Sequence, residues 1–330
     1  MAVLGGGRAH AADQSFKIGI SNGWVGSEWR TQMISETQAA AEAWSKQGVA
    51  VELVVQSHDA DVQTQIGDIR NFINLGVNAV LVNPNSPTAF DQIFAEAKEA
   101  GVLVVATDGE VSSTDAYYVG IDQKEWAAKS ARWLAEALKG KGNIVTVNGI
   151  AGHPANQARI AGYKSVFKEY PDIKILNEAS GEWDQVKAQQ VIQTLLSTYP
   201  NINGIWVQDG MAEGGRKAVD AAGRSADVLI TAEVRAGFLR EWKKAGWTSG
   251  ASVNPPGCMA SALNFAVEVL RGAKPKAAPA GQYGNAYYIE VPLIDNSNLD
   301  QALASLDGKP DYTYATEIVS PDKIREKFFA

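Results

Sequence analysis

Short apolar runs alternate with segments of helical periodicity along most of the chain. Residues 16–20, 79–82 and 102–106 have the length and composition of buried strands. Amphipathic segments lie between such runs, for example residues 62–75, which end before Gly76. This alternation predicts βαβ units and therefore a parallel sheet with right-handed crossovers.

The alternation restarts after residue 125. Further strands are predicted at residues 143–147, 204–207 and 228–232, with helices between them such as residues 186–198. A chain of 330 residues is long enough for two domains. The sequence therefore predicts two successive α/β modules of similar size.

Charge and cysteine content exclude several classes of protein. Lys and Arg total 30 against 37 Asp and Glu, a net charge of −7, which disfavours a nucleic-acid binder. Cys258 is the one cysteine of the sequence, so a disulfide within the chain and a cysteine-cluster metal site are excluded. No apolar stretch approaches the roughly 20 residues of a membrane-spanning helix.

Residues 1–15 resemble part of a secretory signal. Ala9, His10 and Ala11 fit the small-x-small pattern of a signal-peptidase site. A basic segment is missing ahead of them, and the apolar run is short. We interpret the segment as an incomplete signal peptide and expect a periplasmic location. A disordered cytosolic N-terminus is the alternative.

Polar side chains follow the predicted strands, where ligands bind in open α/β sheets. Amides and carboxylates suit vicinal hydroxyls, and flat indole rings cover the apolar face of a sugar. Alternatively, such residues cap helices and close turns. The candidate ligand-binding residues that follow the strands are Asn22, Asp108, Asp209, Glu233 and Asn254, with Trp24, Trp29 and Trp183 in neighbouring loops.

Signatures of enzymes are weak or missing in the sequence. Gly19, Gly23 and Gly26 follow a strand, but their spacing is not that of a dinucleotide-binding loop. The sequence has no phosphate-binding Gly-Lys-Ser/Thr loop, no Gly-x-Ser-x-Gly elbow and no His-Glu-x-x-His pair. His58 could contact a metal with Asp59 and Asp61, but a solvated loop is favoured. We expect no catalytic residue, no metal and no cofactor.

Three stretches in a fixed order carry a family resemblance. They are residues 57–66 (SHDADVQTQI) leading to 76–84 (GVNAVLVNP), 104–108 (VVATD) followed by 118–122 (YVGID), and 149–163 (GIAGHPANQARIAGY). With these motifs the chain resembles the ribose/galactose type of periplasmic sugar-binding protein, the solute receptor of ABC importers. The resemblance extends over residues 16–292.

The resemblance implies the type I periplasmic binding protein fold. In that fold two Rossmann-like α/β lobes, each a parallel sheet flanked by helices, are joined by three hinge crossings. The first lobe is expected at residues 16–121 plus 256–290 and the second at 122–255 plus 291–330. The ligand is expected in the cleft between them, with hinge closure on binding.

The resemblance also implies positions that contact the ligand. Trp29 and Trp183 are expected to sandwich a sugar ring, while Arg159 is expected to be structural. Gly109 and Gln157 stand where the family often has arginine, so a neutral hexose, a polyol and an amino sugar all remain open. The positions carried over are Trp29, Arg30, Asp108, Asn156, Gln157, Trp183, Asp209, Glu233 and Asn254.

The function implied is that of a non-enzymatic, monomeric receptor. It would capture a monosaccharide, amino sugar or polyol and deliver it to an ABC permease in the inner membrane, without binding nucleic acid. One alternative is the effector-binding core of a sugar-responsive transcriptional repressor, which needs a DNA-binding module of about 60 residues before the first strand. Only residues 1–15 precede that strand here. A sugar-acting enzyme is the other alternative.

Overall fold

The structure, a computed structural model, describes residues 14–58, 61–278 and 280–330. The expected signal-peptidase site at residues 9–11 lies outside the described residues. Within the described residues, no helix combines the length and the apolar character needed to cross a membrane.

The first part of the chain alternates strands and helices as predicted. Every residue of the third strand is buried, as expected for a central strand covered on both faces. The first two helices are capped by Ser27 and Asp61, the residues just before them, whose side chains accept hydrogen bonds from backbone N–H groups of the first turn. The elements are β1 (Gln14–Asn22), α1 (Glu28–Lys46), β2 (Val49–Ser57), α2 (Val62–Asn74), β3 (Ala79–Asn83), α3 (Asp91–Glu99), β4 (Leu103–Ala106) and β5 (Tyr117–Gly120).

The remainder repeats this alternation and then adds shorter elements. Asp122 and Asp184 cap two of the helices in the same way as Asp61. The elements are α4 (Gln123–Ala137), β6 (Lys141–Asn148), α5 (Pro154–Phe167), β7 (Asp172–Ser180), α6 (Gln185–Thr198), β8 (Gly204–Val207), α7 (Met211–Ala221), β9 (Leu229–Glu233), α8 (Ala236–Ala245), β10 (Ser249–Ser252), α9 (Cys258–Leu270), β11 (Ala286–Tyr288), β12 (Leu293–Ile294), α10 (Leu299–Ser305) and α11 (Pro321–Phe328).

The strands form two six-stranded sheets of matching topology. Their orders are β11-β5-β4-β3-β1-β2 and β12-β10-β9-β8-β6-β7. Adjacent strands are parallel except β10 and β12. In each sheet the order reverses beside the first strand of the module, which leaves a crevice at the carboxyl ends of the strands. The predicted class, two α/β lobes with parallel sheets, is confirmed.

The chain passes between the sheets at three places that the resemblance implied. It leaves the first sheet after β5, returns after β10 into α9, and leaves again between β11 and β12. Helix α9 packs on α1 and β5, so it belongs to the first lobe. Its residues from Cys258 to Glu268 are all buried, which identifies it as an interior helix.

Helix α11 corrects the expected course of residues 291–330. That segment was assigned to the second lobe, and α10 does pack on α8, but α11 packs on α9 of the first lobe. Arg325 Nε donates to Glu268 Oε2 at 3.1 Å, and the rings of Phe265 and Phe328 meet edge-on with centroids 6.4 Å apart. The reason is burial: the residues of α9 are buried on every side of the helix, and α11 covers one of those sides.

A fourth passage between the lobes follows from this packing. We call residues 311–319 the C-terminal strap. On the second lobe, Ala236 N donates to Thr313 O at 2.8 Å. On the first lobe, Gln32 Nε2 donates to Tyr314 O at 3.0 Å, and Tyr314 N donates back to Gln32 Oε1 at 3.0 Å. The strap therefore contacts both lobes beside the cleft.

Candidate functional site

A cavity lies between the two lobes, where the carboxyl ends of β4, β8 and β9 meet the start of α1. The empty space in it, part of which opens to solvent, is about 410 Å³. Both lobes contribute to its wall. Eight of the residues predicted from the sequence line it: Trp24, Trp29, Arg30, Asp108, Trp183, Asp209, Glu233 and Asn254.

On the first-lobe side the central pair is Arg30 and Asp108. Arg30 Nη2 lies 3.6 Å from Asp108 Oδ2, and both side chains are buried. Asn83 Nδ2 donates to the same carboxylate at 3.2 Å, and Gln123 Nε2 donates to its other oxygen at 3.0 Å. Asp108 also has a positive φ of 64°, an uncommon backbone conformation for a residue other than glycine. The carboxylate is therefore held in a fixed position.

Contacts at a hinge position the ring of Trp29. Its Nε1 donates to the backbone carbonyl of Asn254 at 2.8 Å, and the Arg30 guanidinium lies 5.4 Å from the ring centroid. Asn254 lies in the segment that returns the chain to the first lobe, and Gln123 Nε2 donates to its Oδ1 at 3.4 Å. Hydrogen bonds thus link the cavity wall to a segment that connects the two lobes.

On the second-lobe side an arginine lies beside two acids. Arg159 Nη1 donates to Asp209 Oδ1 at 2.6 Å, and Arg159 Nε donates to Gln123 Oε1 at 2.8 Å. Glu233 is 2% exposed, and neither of its carboxyl oxygens receives a hydrogen bond from a described residue. Burial, together with the negative charge of Asp209, raises the pKa of Glu233 well above its usual value.

The ring of Trp183 lies against the end of β6. Its Nε1 donates to Gln208 Oε1 at 3.0 Å, and its ring meets His153 edge-on with centroids 4.8 Å apart. Burial lowers the pKa of His153 to about 3, so this imidazole is neutral at physiological pH. A Cβ on Gly149 would lie 2.1 Å from Trp183 Cε2, so only glycine permits this ring position.

We predict that Gly149→Ala weakens ligand binding about tenfold or more. The added methyl group must displace the Trp183 indole from the cavity wall, and an aromatic contact is worth about 0.5–1.5 kcal/mol beyond area burial. Calorimetric affinities of the two proteins for the same ligand measure the effect. Gly67→Ala is the matched control, because a Cβ at Gly67 contacts nothing within 4 Å. Equal affinities of wild type and Gly149→Ala would contradict the role of Gly149.

Three predicted residues lie outside the cavity wall. Asn22 Oδ1 accepts from Arg30 Nη1 at 3.3 Å, and Asn156 Oδ1 accepts from Gln208 Nε2 at 2.8 Å, so both hold other side chains in place. Gln157 is exposed, its Nε2 donates to Gly152 O, and it lines an outer groove. Successive residues of a helix point about 100° apart, so Gln157 and Arg159 of α5 cannot both face the cavity.

The sequence reasoning missed several residues that form the site. Arg159, expected to be structural, lines the cavity, as do Ser27 and Tyr314. Arg159 also covers Trp126, with its guanidinium carbon 4.2 Å from the ring centroid. Arg159 lies four residues after Ala155, which also lines the cavity, so the two share one face of α5. Tyr314 lies on the C-terminal strap, and nothing local in the sequence brings it to the cleft.

An ion pair crosses the mouth of the cleft. Arg235, which follows β9, pairs with Glu28 at the start of α1 and with Glu213 Oε2 at 2.7 Å. Glu28 belongs to the first lobe and Glu213 to the second, so one guanidinium joins the two. The Arg235 side chain is buried, whereas the Glu28 side chain is 54% exposed, so the Arg235–Glu28 pair is open to water on the Glu28 side.

The chemistry of the site is that of hydrogen bonding to a polar, compact ligand. In the described part of the chain, no group of three or more His, Cys, Asp or Glu side chains is arranged to hold a metal ion. His58, considered above as a metal contact, instead lies 3.1 Å from Asp68 Oδ1. Carboxylates, guanidinium groups and indole rings together match ligands with hydroxyls on their edges and C–H groups on their faces.

The fold and the cavity define a two-lobed receptor that encloses a small ligand between its lobes. A family profile described as a periplasmic binding protein domain matches residues 18–274. The chain belongs to this family of periplasmic binding proteins, whose members are secreted to the periplasm. The family consists of solute-binding proteins.

Individual relatives are similar over most of the chain. The xylitol-binding protein of Mycolicibacterium smegmatis is 26% identical over 92% of this chain and 84% of its own length. The D-allose-binding periplasmic protein of Escherichia coli is 26% identical over 69% of this chain and 76% of its own. An ABC transporter periplasmic solute-binding protein of Actinobacillus succinogenes, solved with bound D-allose, superposes with a TM-score of 0.75 at 25% identity, over 87% of this chain and 99% of that chain.

Proposed function

We propose that this protein is the substrate-binding component of an ABC importer and captures a monosaccharide or related polyol in the interlobe cavity. It then delivers the ligand to a permease in the inner membrane. The observation that carries this proposal is the cavity itself. Acidic and basic side chains from both lobes surround a small space, and Trp24, Trp29 and Trp183 line it.

The comparisons support the class of ligand. The relatives named above are described as binding xylitol or D-allose, and one solved neighbour holds D-allose. A polyol and an aldose share vicinal hydroxyls, which carboxylates and guanidinium groups bind through charge-assisted hydrogen bonds. We propose no catalytic residue, and we propose that the protein acts as a monomer in the periplasm without binding nucleic acid.

Hinge closure is part of this proposal. Ligand contacts from both lobes stabilise the closed arrangement, because a ligand shifts the equilibrium by its difference in affinity for the two states. The Arg235–Glu28 pair and the Trp29–Asn254 hydrogen bond support a closed cleft. We further propose that residues 321–330 move with the first lobe, together with residues 16–121 and 256–290, and that residues 122–255 and 291–310 form the second.

A ligand panel tests the proposal. D-Allose, D-ribose, D-xylose, xylitol, myo-inositol, D-glucose, D-galactose and their amino-sugar analogues D-glucosamine and D-galactosamine are each added at high excess. A ligand at 100 times its Kd stabilises the native state by about 2.7 kcal/mol, so a binder raises the melting temperature by several degrees. Small-angle scattering of the complex should show a smaller radius of gyration. No stabilisation by any compound, or enzymatic turnover of one, would contradict the proposal.

A further inference from the structure

Glu233 is an acid in an unusual position. It ends β9, is 2% exposed, and neither Oε1 nor Oε2 receives a hydrogen bond from a described residue. Buried carboxylates in proteins are ordinarily paired with a cation or with several N–H donors, because an isolated buried charge is very costly. Glu233 has neither kind of partner as an ionised group.

The groups around Glu233 explain which charges can exist together. The carboxyl of Asp209 lies within hydrogen-bonding reach of Glu233. Burial raises the pKa of both acids, and the positive charge of Arg159 offsets part of that rise. Arg159 directs Nη1 to Asp209 Oδ1 at 2.6 Å and Nε to Gln123 Oε1 at 2.8 Å, so its donors serve Asp209 rather than Glu233. Two carboxyl groups in contact beside one guanidinium favour sharing a proton over ionising together.

Other charged or titratable groups near the pair do not supply a second cation. Asp108 adds negative charge, and its partner is Arg30. Burial raises the pKa of the Tyr314 hydroxyl on the C-terminal strap, and the two neighbouring acids Glu233 and Asp209 add to the rise, so Tyr314 supplies no positive charge. Arg235 directs its donors to Glu28 and Glu213. The cavity thus holds two arginine–aspartate pairs and one further acid.

We propose that Glu233 meets the ligand as an uncharged carboxylic acid, so that the cavity selects uncharged polyhydroxy ligands over those carrying an ammonium group. Its proton faces Asp209 in the empty cavity and turns to a ligand oxygen in the complex, where a ligand hydroxyl donates to Asp209 instead. This deepens the proposed function and rests on it for the ligand. With Glu233 protonated, the formal charges of Arg30, Arg159, Asp108 and Asp209 cancel. An ammonium group then finds no carboxylate without a cation already beside it, and it loses its hydration on entry.

The pH dependence of stability tests the protonation without any ligand. The pKa of Glu233 is raised in the folded state by burial and by Asp209. Stability from such a group is complete below its unfolded pKa of about 4.3 and is lost as the pH rises through the folded value. Glutamine mimics the neutral acid, so Glu233→Gln should melt several degrees above wild type at about pH 8. The difference should shrink toward about pH 4.5.

Glu169→Gln is the matched control. Glu169 is exposed, and its hydrogen bond with Arg132 lowers its pKa, so this substitution removes a favourable pair at neutral pH. Its melting temperature should equal or fall slightly below that of wild type at about pH 8. A Glu233→Gln protein that is also no more stable than wild type at that pH would overturn the proposal.

Binding experiments test the ligand part separately. With D-allose or another neutral compound that binds, wild-type affinity should fall as the pH rises through the raised pKa of Glu233, while that of Glu233→Gln should stay level. At about pH 7, Glu233→Ala should bind at least tenfold more weakly than Glu233→Gln, because alanine removes the donor.

The amino sugars complete the test. D-Glucosamine and D-galactosamine should bind no more tightly than D-glucose and D-galactose, and tighter binding of either amine would overturn the proposed selectivity. Failure of every compound in the panel to bind would overturn the proposed function and the selectivity together. The melting experiment would still decide the protonation of Glu233, so the two failures are distinguishable.

Discussion

Replacement of Arg159 by leucine should lower the free energy of unfolding by about 3–5 kcal/mol, the range observed when one partner of a buried ion pair is removed. Arg159 is 1% exposed and is the cation nearest to Asp209. Without it, Asp209 and Glu233 lie in contact with no counter-charge, and Trp126 loses the guanidinium that covers its ring. Ligand binding should be lost as well, because Arg159 lines the cavity and holds Asp209, which also lies in its wall.

Denaturant unfolding at neutral pH measures this effect. Arg132→Leu is the matched control, since Arg132 forms a two-pronged pair with Glu169 on the surface and its side chain is 44% exposed. Exposed pairs contribute at most about 1 kcal/mol. The role assigned to Arg159 is wrong if its substitution destabilises the protein no more than that of Arg132. Partial recovery of stability at low pH, where the two acids are protonated, would support it.

Replacement of Asp108 by alanine should weaken binding of a panel ligand roughly ten- to a hundredfold or more. A charged acceptor contributes about 1.5–3 kcal/mol per hydrogen bond, and its loss leaves ligand hydroxyls unpaired in a dry cavity. The structure adds a cost in stability that the sequence did not suggest. Arg30 is 4% exposed and has Asp108 as its carboxylate partner, so alanine leaves a buried guanidinium unpaired.

Calorimetry at a fixed pH, combined with unfolding curves of the empty proteins, separates the two effects. Asp108→Asn keeps a hydrogen-bonding side chain of the same shape and should bind more tightly than Asp108→Ala. Asp227→Ala is the control, because Asp227 pairs with Arg224 on the surface and its side chain is 56% exposed. Unchanged affinity in Asp108→Ala, measured on folded protein, would exclude a direct contact between Asp108 and the ligand.

Local patterns in the sequence predicted most of the long elements. Strands β1, β3, β4, β6, β8 and β9 follow from apolar runs, and Asp61 and Asp184 cap helices where the helical patterns begin. Strand β5 was not predicted as a strand. The short strands β10, β11 and β12 were not predicted either. They have two to four residues each, too few for a periodic pattern, and their conformation depends on pairing with β9, β5 and β10.

The residues of the candidate site were likewise predicted only in part from the sequence. Asp108, Asp209 and Glu233 were found because the ends of parallel strands meet at one edge, a rule that needs only the order of elements. Gln157 and Arg159 could not be distinguished by that rule. They lie two residues apart on α5, and the rotation of the helix on its sheet decides which of them faces the cleft. Tyr314 reaches the cavity through contacts with Gln32, 282 residues away in the chain.

By itself the sequence determined the α/β class, the two modules and the acids at the strand ends, because periodicity and strand order are local properties of the chain. Tertiary structure alone decided that α11 covers the first lobe and that Arg30 pairs with Asp108 and Arg159 with Asp209. It also decided that, among the described residues, no cation pairs with Glu233. These outcomes depend on burial and on distances between groups far apart in the chain, which set both packing energy and the charge a side chain can carry.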